Sequence, residues 1–216
     1  MQLDLTRQGP WQKLFPKALE LMAHLERVAH KPSWSFGGGT VLMLRIGHRF
    51  SKDIDLFVPD PQYLGFVNPR LSEVAEGISA DYVENAESIK LILDEGEIDI
   101  VVGTPLTEHP FEMAEYQGRR FHVESNAEIL AKKFFYRGDR AKARDIFDLC
   151  ALAQVDPAAI AKAQPFMQRH GAKFLQTLSA REDLLRHEFE AIDAQGFQDS
   201  FESCAEVARR VVRSAL

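Results

Sequence analysis

Two hydrophobic periods divide the chain. Between Pro10 and His30 the apolar positions Trp11, Leu14, Phe15, Ala18, Leu21, Met22, Leu25 and Val28 recur every three or four residues. That spacing predicts an amphipathic helix packed on a sheet, with Pro16 near its first turn and Lys31-Pro32-Ser33 ending it. The pattern then shortens. Trp34-Ser35-Phe36 predicts a strand, Gly37-Gly38-Gly39-Thr40 a turn, and Val41 to Arg45 a short helix stopped at Gly47. Lys52 to Val58 predicts a strand closed by Pro59-Asp60-Pro61, and a helix is expected over 69–78. Further strands are predicted over 80–83, 88–93, 97–102 and 119–123, with a tight turn at Asp94-Glu95-Gly96.

Beyond residue 125 the period of two disappears. Ser125 or Asn126 can cap a helix carrying Ile129, Leu130, Phe134 and Phe135. Helices follow over 141–153, from Asp156-Pro157, and over 174–178, 181–194 and 197–216. The expected architecture is an α+β domain over 1–125, a mixed sheet with flanking helices, followed by a helical C-terminal region over 126–216.

Composition narrows the classes. The 216 residues are 45% hydrophobic and 27% charged, as in ordinary globular domains. No apolar run is long enough to span a bilayer, and Met1 to Arg7 lacks a signal-peptide core. Cys150 and Cys204 have no second pair nearby, which argues against a disulfide scaffold or zinc site. A reducing cytoplasmic setting with no membrane partner is expected. Net charge is −6, so wholesale coating of nucleic acid is not expected, while a local basic site remains open. The charge is unevenly placed: between Lys132 and Arg144 six basic residues stand against one acid, Asp139.

Three features carry candidate chemistry. Gly38, Gly39 and Thr40 sit at a strand-to-helix junction, where the backbone can approach a ligand closely and the helix presents N–H groups to an anion. A triphosphate fits such a cradle, and the Thr40 hydroxyl could donate to it. Asp53 and Asp55 lie two apart in a predicted strand and so share a face. Paired carboxylates repel each other unless a cation separates them, and Mg²⁺ (or Mn²⁺ in its place) takes one or two carboxylates plus substrate phosphates. Asp99 interrupts another β-branched strand. If that strand neighbours 53–58, the three acids form a metal-binding cluster, with Glu97 the less favoured ligand. Ser51 could bond a phosphate or cap its turn, Arg49 could pair with Asp53 or Asp55, and His48 is read as structural.

In the helical region Lys133 and Arg137 lie four apart and share a helix face, as do Arg144 and Asp148. A basic helix is what a triphosphate site needs besides its metal.

Gly38-Gly39-Thr40, twelve residues, then Asp53-Ile54-Asp55 resembles the signature of polymerase-β-like nucleotidyltransferases. The fuller run, continuing through Leu42, Leu44-Arg45, Gly47-His48-Arg49 and Ser51 to Leu56-Phe57, resembles the AbiEii/AbiGii abortive-infection toxins. Glu128 to Lys133 and Arg144 to Leu149 resemble that family's Lys helix and Arg-Asp-x-x-Asp helix. The resemblance implies a Mg²⁺-dependent transfer of a nucleoside monophosphate from an NTP to a hydroxyl on a tRNA 3′ end or a protein. It implies a toxin role and a cognate antitoxin. It selects Asp53, Asp55 and Asp99 as metal ligands and Lys133, rather than Lys132, as the phosphate contact. Asp145, with Asp148 second, would hold that lysine or complete the site. The competing expectation is a non-catalytic nucleotide-binding regulatory module that keeps the cradle without transferring.

Overall fold

The computed structural model describes residues 1–216. They divide into two units. The first comprises Met1–Arg45, Ser51–Pro105 and Phe111–Glu124; the second comprises Ile46–Phe50, Leu106–Pro110 and Ser125–Leu216.

The first unit is built on a seven-stranded mixed sheet. Its elements are α1 (Trp11–Val28), β1 (Ser35–Gly37), α2 (Gly38–Ile46), β2 (Ile54–Val58), α3 (Glu73–Ile78), β3 (Tyr82–Asn85), β4 (Ser88–Leu93), β5 (Gly96–Val102), β6 (Phe111–Tyr116) and β7 (Arg119–Glu124). The strand order is β3-β4-β5-β2-β1-β7-β6. β2 runs parallel to β5 and antiparallel to β1, while β1 runs parallel to β7. One sheet face is apolar: Ile54, Leu56 and Val58 of β2, Ile98 and Ile100 of β5, and Ile89 and Leu91 of β4 are buried. The periodic face of α1 covers it, with Phe15 against Phe36 of β1 at 4.8 Å between ring centroids. The alternation leaves Asp55, Glu97 and Asp99 half-buried on the other face.

The α+β class, the mixed sheet and its flanking helices match the sequence expectation. Three details differ. The helix expected over 69–78 begins only at Glu73, because Ser72 caps it by accepting from the Ala75 N–H. β2 begins at Ile54, so Asp53 precedes the strand instead of opening it. β6 was not anticipated. Its residues Phe-Glu-Met-Ala-Glu-Tyr form an edge strand with no buried face, so no alternation betrays it. It joins β7 through Gln117 and Gly118, both at positive φ (51° and 79°), the two-residue geometry that suits the twist of a hairpin.

The second unit is helical: α4 (Asn126–Arg137), α5 (Ala143–Val155), α6 (Pro157–Ala163), α7 (Gly171–Ala180), α8 (Glu182–Glu190) and α9 (Phe201–Arg213). Its core joins Phe134 to Phe174, and Phe147 to Phe189 and Phe197. Cys150 and Cys204 are free thiols buried within it. Two segments that precede Ser125 in the sequence belong to this unit, and each is tied in by polar contacts. Glu128, fully buried on α4, accepts from the N–H groups of Leu106 and Thr107 and from the Thr107 hydroxyl. The 46–50 segment is bonded along its backbone, from Gln195 N to the His48 carbonyl (2.9 Å), from Gly196 N to the Gly47 carbonyl and from Phe50 N to the Asp193 carbonyl. No helix of the chain is long and apolar enough to cross a membrane.

Candidate active site

The first unit carries a lateral row of polar residues across three strands, ending on a glycine of a fourth. Register pairs Lys90 of β4 with Asp99 of β5, Asp99 with Asp55 of β2, and Asp55 with Gly37 of β1. Cross-strand partners share a face, so the two carboxylates stand side by side. Burial, and then the neighbouring Asp55 charge, pushes the Asp99 carboxyl up to about 6, against the opposing pull of Lys90. The Lys90 ammonium lies 3.4 Å from Asp99 Oδ2 and in a close ion pair with Glu97. Burial draws Lys90 downward, but those two acids outweigh it and the net displacement is upward.

The glycine turn is built against this row. Gly38 has φ +73°, and a Cβ there would stand 1.8 Å from Asp55 Oδ2, so both the backbone conformation and the space demand glycine. At Gly37 a Cβ would stand 2.2 Å from Glu124 Oε2. Gly39 continues the turn into the first turn of α2. Thr40 departs from expectation. It is fully buried, its hydroxyl donating to the Asp53 carbonyl at 2.5 Å and lying 3.0 Å from Ser51 Oγ. It therefore fixes the approach to β2 instead of offering a hydroxyl to phosphate. Ser51 is half-buried beside it.

Asp53 is also engaged: its Oδ1 accepts from the Glu97 N–H at 3.1 Å. The three acids expected to converge are thus Asp55 and Asp99 as neighbours, with Asp53 turned to the start of β5. No group of three or more His, Cys, Asp or Glu side chains is gathered as a ready metal cage. The donors nonetheless fit a hard divalent cation that arrives with a nucleotide. Two adjacent carboxylates, one of them raised by burial and then by its neighbour's charge, beside a glycine cradle that a Cβ would fill, match the protein share of a Mg²⁺ shell completed by phosphate oxygens and water.

The second unit holds a different constellation. Asp148 of α5 is fully buried. Its Oδ1 accepts from Arg49 Nε (2.6 Å) and lies 2.7 Å from His48 Nε2, while Oδ2 accepts from Arg49 Nη2 (3.0 Å). Lys133 of α4 bridges the two acids of α5, with Nζ 2.6 Å from Asp145 Oδ1 and 2.8 Å from Asp148 Oδ2. Arg137 forks onto Asp145 through Nε (3.1 Å) and Nη2 (2.7 Å). Burial would raise both carboxyls, but the cations win. Arg137 and Lys133 bring Asp145 down to about 2, and Arg49, Lys133 and His48 hold Asp148 well below the usual range. Lys132, the residue passed over, is paired at 3.7 Å with Glu128.

Sequence reasoning missed Lys90 and the grip of His48 and Arg49 on Asp148. Lys90 was within reach. The two-residue turn at Asp94-Glu95 pairs Leu93 with Gly96, and counting outward from it sets Lys90 opposite Asp99. No comparable local rule connects residue 49 to residue 148.

The mixed sheet, with its glycine turn before the strand that carries Asp55, is a fold shared with solved nucleotidyltransferases. MenT4, a nucleotidyltransferase toxin from Mycobacterium tuberculosis H37Rv, superposes with TM-score 0.53 at 19% identity, covering 98% of this chain and 86% of that one. The antibiotic-resistance factor ANT(2'')-Ia gives 0.52 at 15%, covering 82% and 99%. A structure from H. pylori gives 0.52 at 16%, covering 94% and 92%. Among curated proteins none matches this sequence. Residues 20–213 match the model of the nucleotidyl transferase AbiEii toxin family of type IV toxin–antitoxin systems, and the chain belongs to that family. It is a nucleotidyltransferase.

Proposed function

We propose that this enzyme moves a nucleoside monophosphate from an NTP to a hydroxyl, with Mg²⁺ (or Mn²⁺) as cofactor, acting as the toxin of a pair with a cognate antitoxin. The observation that carries the reading is the Asp55–Asp99 pair opposite the glycine turn at Gly38. The acceptor oxygen forms a bond to the α-phosphorus as the bond from that phosphorus to pyrophosphate breaks. A bound divalent cation supplies charge neutralisation for the phosphates and acidifies the acceptor hydroxyl.

The chain's own residues do the rest. Asp55 and Asp99 hold the cation, with Asp53 as the third candidate ligand, and Asp99 receives the hydroxyl proton on a carboxylate oxygen. Gly38 and Gly39 let the backbone reach the triphosphate, and Ser51 donates to it. Thr40 acts by fixing Asp53. Lys133 neutralises phosphate charge, with Asp145 holding the lysine and Asp148 as its second support. The acceptor is a tRNA 3′ end or a protein side chain.

The test incubates the protein with each radiolabelled NTP and Mg²⁺, with total tRNA or with total protein. Asp55→Ala and Asp99→Ala variants run beside it. Label on RNA or on protein that disappears in both variants supports the reading and identifies the acceptor. Metal-dependent NTP binding with no transfer to either acceptor supports the regulatory-module alternative and rejects ours.

A further inference from the structure

The polar row on the sheet contains one residue for which nucleotidyl transfer has no evident need. Lys90 stands at its outer end, opposite Asp99 in the β4–β5 register. Its ammonium pairs with Glu97 and lies 3.4 Å from Asp99 Oδ2. Glu97 and Asp99 are two apart on one strand and share a face. A cation of the protein's own therefore sits against Asp99, the cross-strand partner of Asp55, and against Glu97. Its side chain is only one-third exposed (33%), so water screens it less than an ordinary surface lysine.

We propose that Lys90 is a positioning residue that occupies the Glu97–Asp99 side of the carboxylate row and holds off a divalent cation until a nucleotide brings one. The inference rests on the cation-binding reading above. Its physical basis is local. With Lys90 in place, Glu97 is committed to an ion pair and one of the two facing acids, Asp99, already has a positive neighbour. A divalent ion approaching the bare row meets Coulomb repulsion from the ammonium and gains few uncommitted oxygens. Phosphate oxygens supply both the missing ligands and the missing negative charge, so the ion binds with the nucleotide. Replacing Lys90 by a neutral residue removes the repulsion and releases Glu97 as an additional ligand.

The test measures Mn²⁺ binding to the full chain by electron paramagnetic resonance, with no NTP and no acceptor present. Lys90→Gln is expected to tighten nucleotide-free Mn²⁺ binding about tenfold, the effect of removing one positive charge a few ångströms from the ion. Lys90→Arg keeps the charge and is expected to bind as the unaltered protein does. Glu97→Gln leaves Lys90 in place but takes away the carboxylate, and is expected to reduce the gain when combined with Lys90→Gln. Unchanged or weaker Mn²⁺ binding in Lys90→Gln overturns the proposal. Asp55→Asn separates this from the underlying reading: if it leaves Mn²⁺ binding of the Lys90→Gln protein intact, the row is not the cation site at all. If Asp55→Asn abolishes binding while Lys90→Gln binds no better than the unaltered protein, the cation site stands and only the role of Lys90 fails.

Discussion

The chain carries two groups of aspartates in opposite electrostatic states. On the sheet, Asp99 is pushed up to about 6 by burial and by Asp55. In the helical unit, Asp145 and Asp148 are more deeply buried, yet both are pulled down. The difference is the supply of cations. Asp148 receives Arg49 and Lys133, with the His48 ring in hydrogen-bond contact, and Asp145 receives Lys133 and Arg137, whereas Asp99 meets only a lysine that it shares with Glu97. An acid with its cations built in contributes to the fold. An acid left short of them is stable in its charged form only when something else supplies charge, which is the condition for binding a cation or moving a proton. Burial alone would have ranked the two groups the wrong way round.

That contrast can be broken in four ways. The largest effect is expected from Asp148→Ala, which removes the buried carboxylate that Arg49 forks onto and one of the two acids that Lys133 bridges. Unfolding in urea should show a loss of about 3–5 kcal/mol; a loss under 1 kcal/mol would mean that the cluster is not structural. Asp55→Asn should do the reverse. Transfer activity is expected to fall about a thousandfold, roughly 4 kcal/mol in the barrier, while the thermal midpoint drops less than in Asp148→Ala. Equal damage to folding in both variants would erase the distinction.

Lys133→Ala comes next. It should weaken NTP binding about a hundredfold, worth roughly 2.7 kcal/mol, and more than Lys132→Ala does; calorimetric titration of the two variants compares them, and equal losses reject the choice of Lys133. The smallest effect concerns pH. Because the folded value of Asp145 is depressed to about 2, its contribution is fully present above the unfolded value near 4. It is lost as pH falls from there through about 2, and is worth about 2 kcal/mol. Denaturation followed by circular dichroism between pH 5 and pH 2 should show this loss, and an Asp145→Asn variant should show it reduced.

Much of the fold was legible because its signals are local. The α1 stripe, the strand alternation of 54–58 and 96–102 and the helical spacing after 125 each depend on residues within one or two turns. β6 escaped because an exposed edge strand has no buried face to alternate with. The candidate site divides in the same way. Gly38 and the pair Asp53 and Asp55 stand out by spacing within eighteen residues. The place of Thr40 does not, since only the structure shows its hydroxyl on the Asp53 carbonyl.

By itself, then, the sequence determined the helices, most of the strands, the glycine turn and which carboxylates, lysines and arginines were worth following. Periodicity and spacing are properties of neighbouring residues, and the chain states them directly. Only the tertiary structure decided which acids are neighbours and which cations they receive. Asp99 stands beside Asp55 because β5 pairs in parallel with β2, and Arg49 meets Asp148 across 99 residues of sequence. Register and long-range ion pairs are settled by packing, and packing in turn decides whether a buried aspartate is held charged by its surroundings or left to find a cation of its own.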